Sequence, residues 1–339
     1  MPLIPNALYE KIRFQEPQIT LTCPAVGRMW LISLCALMAI VQSALTDAFS
    51  SLFLALVSVF TALMTEFLIL DKNSRTALFK DGSTVASALV FSLLLPNRLS
   101  PVYAAIGAIF AVAVIKHSFG GLGANWLNPA AGAWLFVRLS WPASFHRALE
   151  GSTLSLDDFI TQSGFPSTDF AVFLNNKVFS LFGTKLPDFY ADLFASSAPG
   201  IIADRGIMAL LLGSIIIMAF QAGRPMVPLF WISVFAIFTR MTGAFHYGEG
   251  WWKGDIIFAL CTGGTIAAAF ILAAEPVTSA KSSWGILGSA IAGGFFAWLF
   301  RYHGDEPYGA VFSILVVNAL LPVIRNIETS RLYVKRKAP

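Results

Sequence analysis

Four ionisable residues interrupt long apolar stretches of the sequence and are the first candidates for chemistry: Glu66, Arg138, Arg240 and Glu275. A charged side chain is costly inside a bilayer, so we expect each of them to face the protein interior or to snorkel from a helix end. Residues of this kind are typical of ion or proton pathways, and all four are interpreted as pathway candidates. Glu66 is the preferred relay residue, Arg138 is the one expected to snorkel, and Glu275 also fits a position at the cytoplasmic interface.

Glycine, threonine and asparagine form a second group, in which backbone groups would do the binding. The segments GSTVASALVFSLLLP (82–96) and GGTIAAAFILAAEP (263–276) begin on glycine and threonine and end on proline. A helix that begins inside the protein offers N–H donors to a phosphate or carboxylate. The glycine-rich segment 116–134 must pack in protein or line a cavity. The candidate residues for a flavin or a cavity are Gly82, Thr84, Gly120, Gly121, Gly123, Asn125, Asn128, Gly263, Gly264 and Thr265.

Other chemistry is not expected from this chain. No nucleophile, base and acid occur in a catalytic pattern, so no catalytic residue of an independent enzyme is predicted. The three cysteines, Cys23, Cys35 and Cys261, lie far apart without a CxxC motif, which predicts no metal or iron–sulfur site built by this chain alone. The four histidines fall in predicted loops without metal-ligand spacing: His117, His146, His246 and His303.

Composition predicts the elements that must hold these residues. The chain is 56% hydrophobic and only 12% charged, with a mean hydropathy of +0.70, against about 45–50% and about 25% in soluble domains. We therefore expect an all-α integral membrane protein. The first residues lack the pattern of a removable signal peptide. The net charge of +4 is interpreted as a marker of topology, and nucleic-acid binding is not expected.

Apolar runs predict about ten transmembrane helices, of which two are short. The predicted spans are 29–46, 49–70, 84–95, 102–115, 131–141, 206–220, 228–245, 256–273, 284–300 and 308–324. Lysine and arginine concentrate in the N-terminal segment, in the loop after the second span and in the tail, which predicts that both termini are cytoplasmic.

The segments 82–96 and 263–276 also indicate an internal repeat. Five spans separate their equivalent positions, so the two copies would cross the membrane in opposite directions. This pattern is typical of a 5+5 inverted-topology repeat with broken helices. The predicted organisation is a cytoplasmic N-terminal segment (1–28), a first five-helix repeat (29–141), an extracytoplasmic loop (142–205), a second five-helix repeat (206–324) and a basic cytoplasmic tail (325–339).

Three segments carry a family resemblance over most of the chain: FGGLGANWLNPAAGAWLFVRLSWP, GGTIAAAFILAAEPVTS and PYGAVFSILVVNALLPVI. They resemble the NqrB/RnfD family of membrane subunits, and the short N-terminus is closer to the RnfD branch. The resemblance implies a ten-helix inverted-repeat subunit of an ion-translocating ferredoxin:NAD electron-transport (Rnf) complex in the bacterial inner membrane. It also implies flavin-carrying and iron–sulfur partner subunits, and sodium or proton as the coupling ion.

The same resemblance implies a flavin, FMN or riboflavin, and in this family FMN is usually joined through its phosphate to a threonine. The corresponding segment here is residues 158–166, where the acceptor position is Gly164. A phosphoester needs a hydroxyl, so the usual covalent site is degenerate in this register. The nearest hydroxyls are Ser163, which a shift of one residue would recruit, and Thr161.

Three functions remain open from the sequence. The first is a subunit of an Rnf complex that contributes a flavin site, an ion pathway or both. The second is a stand-alone flavin or small-solute transporter of the same fold, in which inverted repeats alternate access. The third is a channel-like protein with no redox role. The first is favoured because the resemblance extends through the loops and not only the spans.

Overall fold

The computed structural model describes most of the chain, and the regular secondary structure there is helical, apart from one isolated bridge between Pro96 and Ile201. The described residues are 24–70, 81–118, 120–121, 125, 127–149, 172–173, 176–177, 179–182, 193–194, 200–243, 250–275, 277–304 and 307–337, with side chains described to residue 327.

In the described part of the first half there are six helices. They are α1 (Ala25–Ala44), α2 (Ser50–Ile69), α3 (Ser83–Leu93), α4 (Pro101–Ile109, continued by the π-helical segment Phe110–His117), α5 (Pro129–Ser140) and α6 (Pro142–Leu149). Proline occupies the first position of α4, α5 and α6, where its missing N–H breaks no helical hydrogen bond. A 3₁₀ turn, Phe179–Phe182, lies in the segment that leads to the second half.

Seven helices lie in the second half, as far as the structure describes it. They are α7 (Ile202–Arg205), α8 (Ile207–Ala219), α9 (Met226–Thr242), α10 (Ile256–Cys261), α11 (Thr265–Ala267, continued by the π-helical segment Ala268–Leu272), α12 (Ser283–His303) and α13 (Gly309–Lys337). The predicted eighth span is therefore broken in its middle, because Thr262 to Gly264 interrupt it between α10 and α11.

The helices have the length and surface of a membrane protein. Four of them are long and apolar enough to cross a bilayer, namely Ala25–Ala44, Ser50–Ile69, Ser283–His303 and Gly309–Ile327. Their outer faces expose large apolar side chains, such as Phe53, Phe60 and Trp284, which a lipid environment would cover. Each predicted span overlaps a helix of the described residues, and the eighth span overlaps two. The number of complete crossings stays a prediction.

Small residues bring the two halves into contact where α8 packs on α1. A Cβ at Gly206 would lie 2.4 Å from the carbonyl oxygen of Ala39, and one at Gly213 would lie 2.8 Å from Cβ of Cys35. Gln42 fixes this contact because its Oε1 accepts a hydrogen bond of 2.7 Å from the backbone N–H of Ala209. Close backbone approach through small residues is the usual means of helix association in membranes.

The loop assignment of the histidines is wrong for the three that are described. His117 ends the π-helical segment of the first half, His146 lies in α6, and His303 lies in the last turn of α12. His246 lies outside the described residues. Among the described residues no group of histidine, cysteine and acidic side chains is arranged to hold a metal ion.

Candidate functional site

A buried polar cluster surrounds the start of α3 in the first half. Gly82 has a φ of +65° and precedes the helix, and Glu66 reaches its first turn from α2. The ammonium of Lys116 lies 2.5 Å from Glu66 Oε1 and donates to Ser83 Oγ at 2.8 Å and Thr84 Oγ1 at 2.6 Å. Thr84 in turn donates to Glu66 Oε2. Glu66 and Lys116 are each 3% exposed, so this is a buried, fully hydrogen-bonded ion pair.

The π-helical segment at the end of α4 supplies two of the side chains around Glu66. Lys116 and His117 are its last two residues, and His117 Nε2 lies 3.4 Å from Glu66 Oε1. Wider π turns are uncommon and often occur at functional sites. The segment therefore places an amine and an imidazole ring beside a single carboxylate.

The corresponding helix start in the second half has a different arrangement. Gly263 and Gly264 have φ values of +71° and +67° and precede α11. Asp204 from α7 is 2% exposed, and its Oδ1 accepts a hydrogen bond of 2.7 Å from the N–H of Gly264. Arg301 donates to the carbonyl oxygens of Ala259 at 3.0 Å and Thr262 at 2.9 Å. On one side of the break the Asp204 carboxylate thus accepts from an N–H that has no partner within the helix. On the other side the Arg301 guanidinium donates to carbonyl groups that have none.

Glu275 lies where the end of α11 meets the start of α5. Asn128 caps α5, because its Oδ1 accepts from the N–H groups of Ala130 and Ala131, and its Nδ2 donates to Glu275 Oε2 at 2.6 Å. Thr278 Oγ1 donates to the same oxygen at 3.3 Å. No ion pair to Glu275 occurs among the residues that the structure describes. Glu275 is therefore a half-buried carboxylate whose hydrogen-bond partners are neutral.

A small cavity opens beside this carboxylate, between the two halves. Its volume is about 30 Å³, and it is lined by Glu275 and Asn128 together with residues of α1, α3 and the end of α11. A volume of about 10–15 Å³ is enough for one water molecule. The cavity can thus hold one or two waters, or a small cation, against the Glu275 carboxylate.

The candidate glycines at the starts of α3 and α11 are packed tightly against other residues. A Cβ at Gly82 would lie 2.9 Å from the ring of Trp30, one at Gly263 would lie 2.3 Å from the carbonyl oxygen of Pro307, and one at Gly264 would lie 2.9 Å from Ile201. The cavity beside Glu275 is too small for a flavin ring. A flavin therefore stays a prediction, and the residues around these glycines and this cavity do not fit one.

The other candidates of the glycine-rich segment are described in part. Gly120 and Gly121 have φ values of +104° and +87°, as expected for glycines in a turn. Asn125 is 8% exposed, and its Oδ1 has no hydrogen-bond donor among the described residues. Gly123 lies outside the described residues, as do Thr161, Ser163 and Gly164, so the covalent-flavin prediction is untested.

The two arginine candidates lie apart from both carboxylates. Arg138 is buried in α5, where its Nη1 lies 3.0 Å from Nε2 of His146 and its guanidinium lies 5.1 Å from the centre of the Phe145 ring. Arg240 is exposed at the end of α9 and donates to the carbonyl oxygen of Gly254 at 3.1 Å. Arg138 is therefore packed inside the protein, whereas Arg240 lies at the protein surface.

Lys116, Thr278 and Asn318 join these sites without having been predicted. Asn318, with its amide in the orientation that satisfies both partners, donates to the carbonyl oxygen of Thr278 at 3.2 Å and accepts from the N–H of Asn128 at 3.1 Å. Two of the three had a signal in the sequence. Lys116 follows a predicted span directly, and Asn318 interrupts the apolar run SILVVNALLP.

The long apolar helices define an α-helical membrane protein. Its buried ionisable side chains lie at the starts and ends of interrupted helices. The chain belongs to the NQR2, RnfD, RnfE family, whose model matches residues 14–334.

Several relatives resemble the chain over most of its length. The D subunit of the proton-translocating ferredoxin:NAD(+) oxidoreductase complex of Clostridium ljungdahlii is 28% identical over 87% of this chain and 88% of its own. The D subunit of the Na(+)-translocating ferredoxin:NAD(+) oxidoreductase complex of Acetobacterium woodii is 26% identical over 84% and 82%. The D subunit of the ion-translocating oxidoreductase complex of Shewanella denitrificans is 26% identical over 95% and 98%. Proteins this similar to the chain include members of proton- and sodium-translocating complexes.

Proposed function

We propose that this chain is the D-type membrane subunit of an ion-translocating ferredoxin:NAD oxidoreductase complex and that the coupling ion passes Glu275. Family membership over residues 14–334 and the names of the relatives support the first part. The distribution of lysine and arginine supports a cytoplasmic-membrane location with both termini in the cytoplasm. The partners are the other membrane and redox subunits of such a complex, which carry flavin and iron–sulfur centres.

The charge balance at Glu275 is the observation that supports the ion pathway. An uncompensated carboxylate is expensive away from bulk water, and it lowers its free energy by binding a cation or a proton. Asn128 and Thr278 supply hydrogen bonds but no charge, and the adjoining cavity has room for the ion. Glu66 differs, because Lys116 already neutralises it. Glu275 therefore fits the role of ion station better than Glu66 does.

The test replaces Glu275 with glutamine in the assembled complex. Inverted membrane vesicles are supplied with reduced ferredoxin and NAD, and sodium and proton uptake are measured beside NADH formation. Glutamine keeps the size and the hydrogen-bonding groups but removes the charge. We expect ion uptake per NADH to fall at least about tenfold, because a charged hydrogen-bond partner is worth about 1.5–3 kcal/mol.

Asp255→Asn is the matched control. It also converts an acid to its amide, but Asp255 caps α10 through the N–H of Phe258, and asparagine caps equally well. The control should leave ion uptake unchanged. Ion uptake at the parental level in Glu275→Gln would refute the proposal.

The bound flavin, FMN or riboflavin, is the second part of the proposal, and the family membership supports it. Purified protein is denatured, and its flavin absorbance and intact mass are recorded. Flavin released on denaturation supports noncovalent binding, whereas a flavin phosphoester on Ser163 or Thr161 supports the shifted register. The absence of any flavin from this subunit, when it is separated from the native complex, would remove this part and leave the ion pathway intact.

A stand-alone transporter of the same fold is separated by a simpler measurement. The purified chain alone is reconstituted in liposomes, and uptake of sodium, protons or riboflavin is followed under a gradient. A subunit of a redox-driven complex should show no transport without its partners. Gradient-driven riboflavin uptake by the chain alone would favour the transporter.

A further inference from the structure

A second cavity lies on the far side of the loop that follows Glu275. It has a volume of about 20 Å³ and is enclosed by α9, α12, α13 and residues 278–279. Its polar lining consists of Trp231, Thr278, Ser279, Ser289 and Asn318. The volume corresponds to a single water molecule. Its position separates it from the cavity that Glu275 and Asn128 line.

One donor in this lining has no acceptor among the residues that the structure describes. Trp231 is 1% exposed, and its Nε1–H makes no hydrogen bond to any residue that the structure describes. A buried polar group without a partner costs about 1–3 kcal/mol, and such groups are usually satisfied by ordered water. The indole lies against Gly293, where an added Cβ would be 2.7 Å from Nε1. The absence of a side chain at Gly293 therefore lets the indole pack directly against α12, at the wall of the cavity.

The hydroxyls of the lining are complementary to that donor. Ser289 gives its proton to the carbonyl oxygen of Ile286 at 2.9 Å, and Thr278 gives its proton to Glu275. Both hydroxyl oxygens therefore keep lone pairs for accepting. A water that accepts from Trp231 has two protons to donate, and these two oxygens are the partners that the lining offers.

We infer that this cavity is a water site that delivers protons to Glu275 through the Thr278 hydroxyl. An excess proton on the water passes to Thr278 Oγ1 as the hydroxyl's own proton moves to Glu275 Oε2. The carboxylate becomes a carboxylic acid, and the water and the threonine end neutral. A sodium ion cannot take this route, because the Thr278 hydroxyl passes protons along its hydrogen bond to Glu275 and does not pass a metal ion. The inference rests on the proposed ion-carrying role of Glu275 and assigns the proton as the ion on this side.

The test uses Thr278→Val, which removes the hydroxyl at nearly constant volume, and Trp231→Phe, which removes the N–H. Both are measured in the assembled complex in inverted vesicles, with a pH-sensitive dye and ²²Na⁺ as the two probes. We expect proton uptake per NADH to fall about a hundredfold in Thr278→Val, which is the low end of the effect of a positioned proton-transfer group. Thr278→Ser should restore it. Trp231→Phe should lower proton uptake in the same direction.

Trp298→Phe is the matched control. The Trp298 indole nitrogen is also buried without a partner among the described residues, but Trp298 does not line this cavity. Unchanged proton uptake in Thr278→Val and Trp231→Phe, with uptake lost in Glu275→Gln, overturns the water route and leaves the proposed function standing. Parental uptake in Glu275→Gln refutes the proposed function itself. An empty cavity in a cryo-EM map that resolves ordered waters elsewhere also overturns the inference.

Discussion

Glu66 and Glu275 are the same residue type, each beside an interrupted helix, and they differ in how their charge is balanced. Glu66 contacts the Lys116 ammonium at 2.5 Å, whereas the described partners of Glu275 are the amide of Asn128 and the hydroxyl of Thr278. A compensated buried carboxylate holds helices together, and an uncompensated one attracts a cation. The difference shows that burial of an acid does not identify an ion site until its counter-charges are counted.

Two arginines near Glu275 make the contrast sharper. Arg224 donates to Ser279 Oγ at 2.9 Å and to the carbonyl oxygen of Ala280. Arg325 donates to the carbonyl oxygens of Val277 at 3.1 Å and Ser279 at 3.3 Å. Both guanidinium groups thus hold the backbone of the loop that follows Glu275. The loop is fixed by cations while no ion pair to its carboxylate is found among the described residues.

The largest expected effect breaks the compensated pair. Lys116→Met leaves Glu66 buried without a counter-charge, and breaking such a pair costs about 3–5 kcal/mol. The measurement is thermal unfolding of the detergent-solubilised protein. The double variant Glu66→Gln/Lys116→Met should recover most of the loss, because no buried charge remains. A Lys116→Met protein as stable as the parent would show that Glu66 is not held as an ion pair.

The two glycines before α11 test the second helix start without changing a charged residue. Gly263→Ala places a Cβ 2.3 Å from the backbone oxygen of Pro307 at a φ of +71°, so steric and conformational strain should exceed about 2 kcal/mol. Gly264→Ala meets only the flexible tip of Ile201 and should cost about 1–2 kcal/mol. The same unfolding assay ranks them, and the reverse order would contradict the described packing.

Asn128 both caps α5 and hydrogen-bonds Glu275, and two substitutions separate these roles. Asn128→Ala removes the cap of α5 and the hydrogen bond to Glu275 together, for an expected loss of about 0.5–2 kcal/mol. Asn128→Ser keeps a capping hydroxyl but is too short to reach Glu275. Serine should therefore restore most of the stability without restoring ion uptake. Equal unfolding temperatures for alanine and serine would argue against the cap.

The smallest effect on stability is expected at the uncompensated carboxylate. Glu275→Gln removes a charge that has no counter-charge among the described residues and keeps an acceptor for Asn128 and Thr278, so the free energy of unfolding should change by less than about 1 kcal/mol. The assay is again thermal unfolding, beside Glu66→Gln, which strands the Lys116 charge and should be much less stable. A large loss in Glu275→Gln would mean that its charge is structural.

Much of the fold could be predicted from hydropathy, since each predicted span overlaps a helix. Gly263 and Gly264 indicate a break in the eighth span, because their positive φ values are ones that only glycine adopts readily. The start of α11 at Thr265 follows the predicted helix start on Gly263 and Gly264, whereas the end of α10 at Cys261 could not be predicted, because the apolar run continues across it. Glycine pairs mark where backbone is irregular, but the contacts of the backbone decide where the preceding helix ends.

The role of each candidate site residue was harder to predict, because it depends on which charged side chains contact each other in the folded protein. Glu66 and Glu275 stood out in the sequence, and Asn128 was found through its loop. Lys116 lies one residue beyond a predicted span, and only the π-helical turn brings it back to Glu66. The unpartnered indole of Trp231 has no sequence signal, because tertiary packing alone determines whether a buried N–H meets an acceptor.

The charge of Glu275 affects how strongly the Asn128 amide joins the two halves of the protein. Its oxygen fixes the start of α5 in one half, and its nitrogen holds Glu275 in the other. A hydrogen bond to an ionised carboxylate is about twice as strong as one to a neutral group. If Glu275 takes up a proton, as proposed, the hydrogen bond from Asn128 that joins the two halves becomes weaker. Loss of the proton makes this hydrogen bond stronger again. Through the Asn128 side chain, the protonation state of Glu275 thus sets how strongly the two halves are held together.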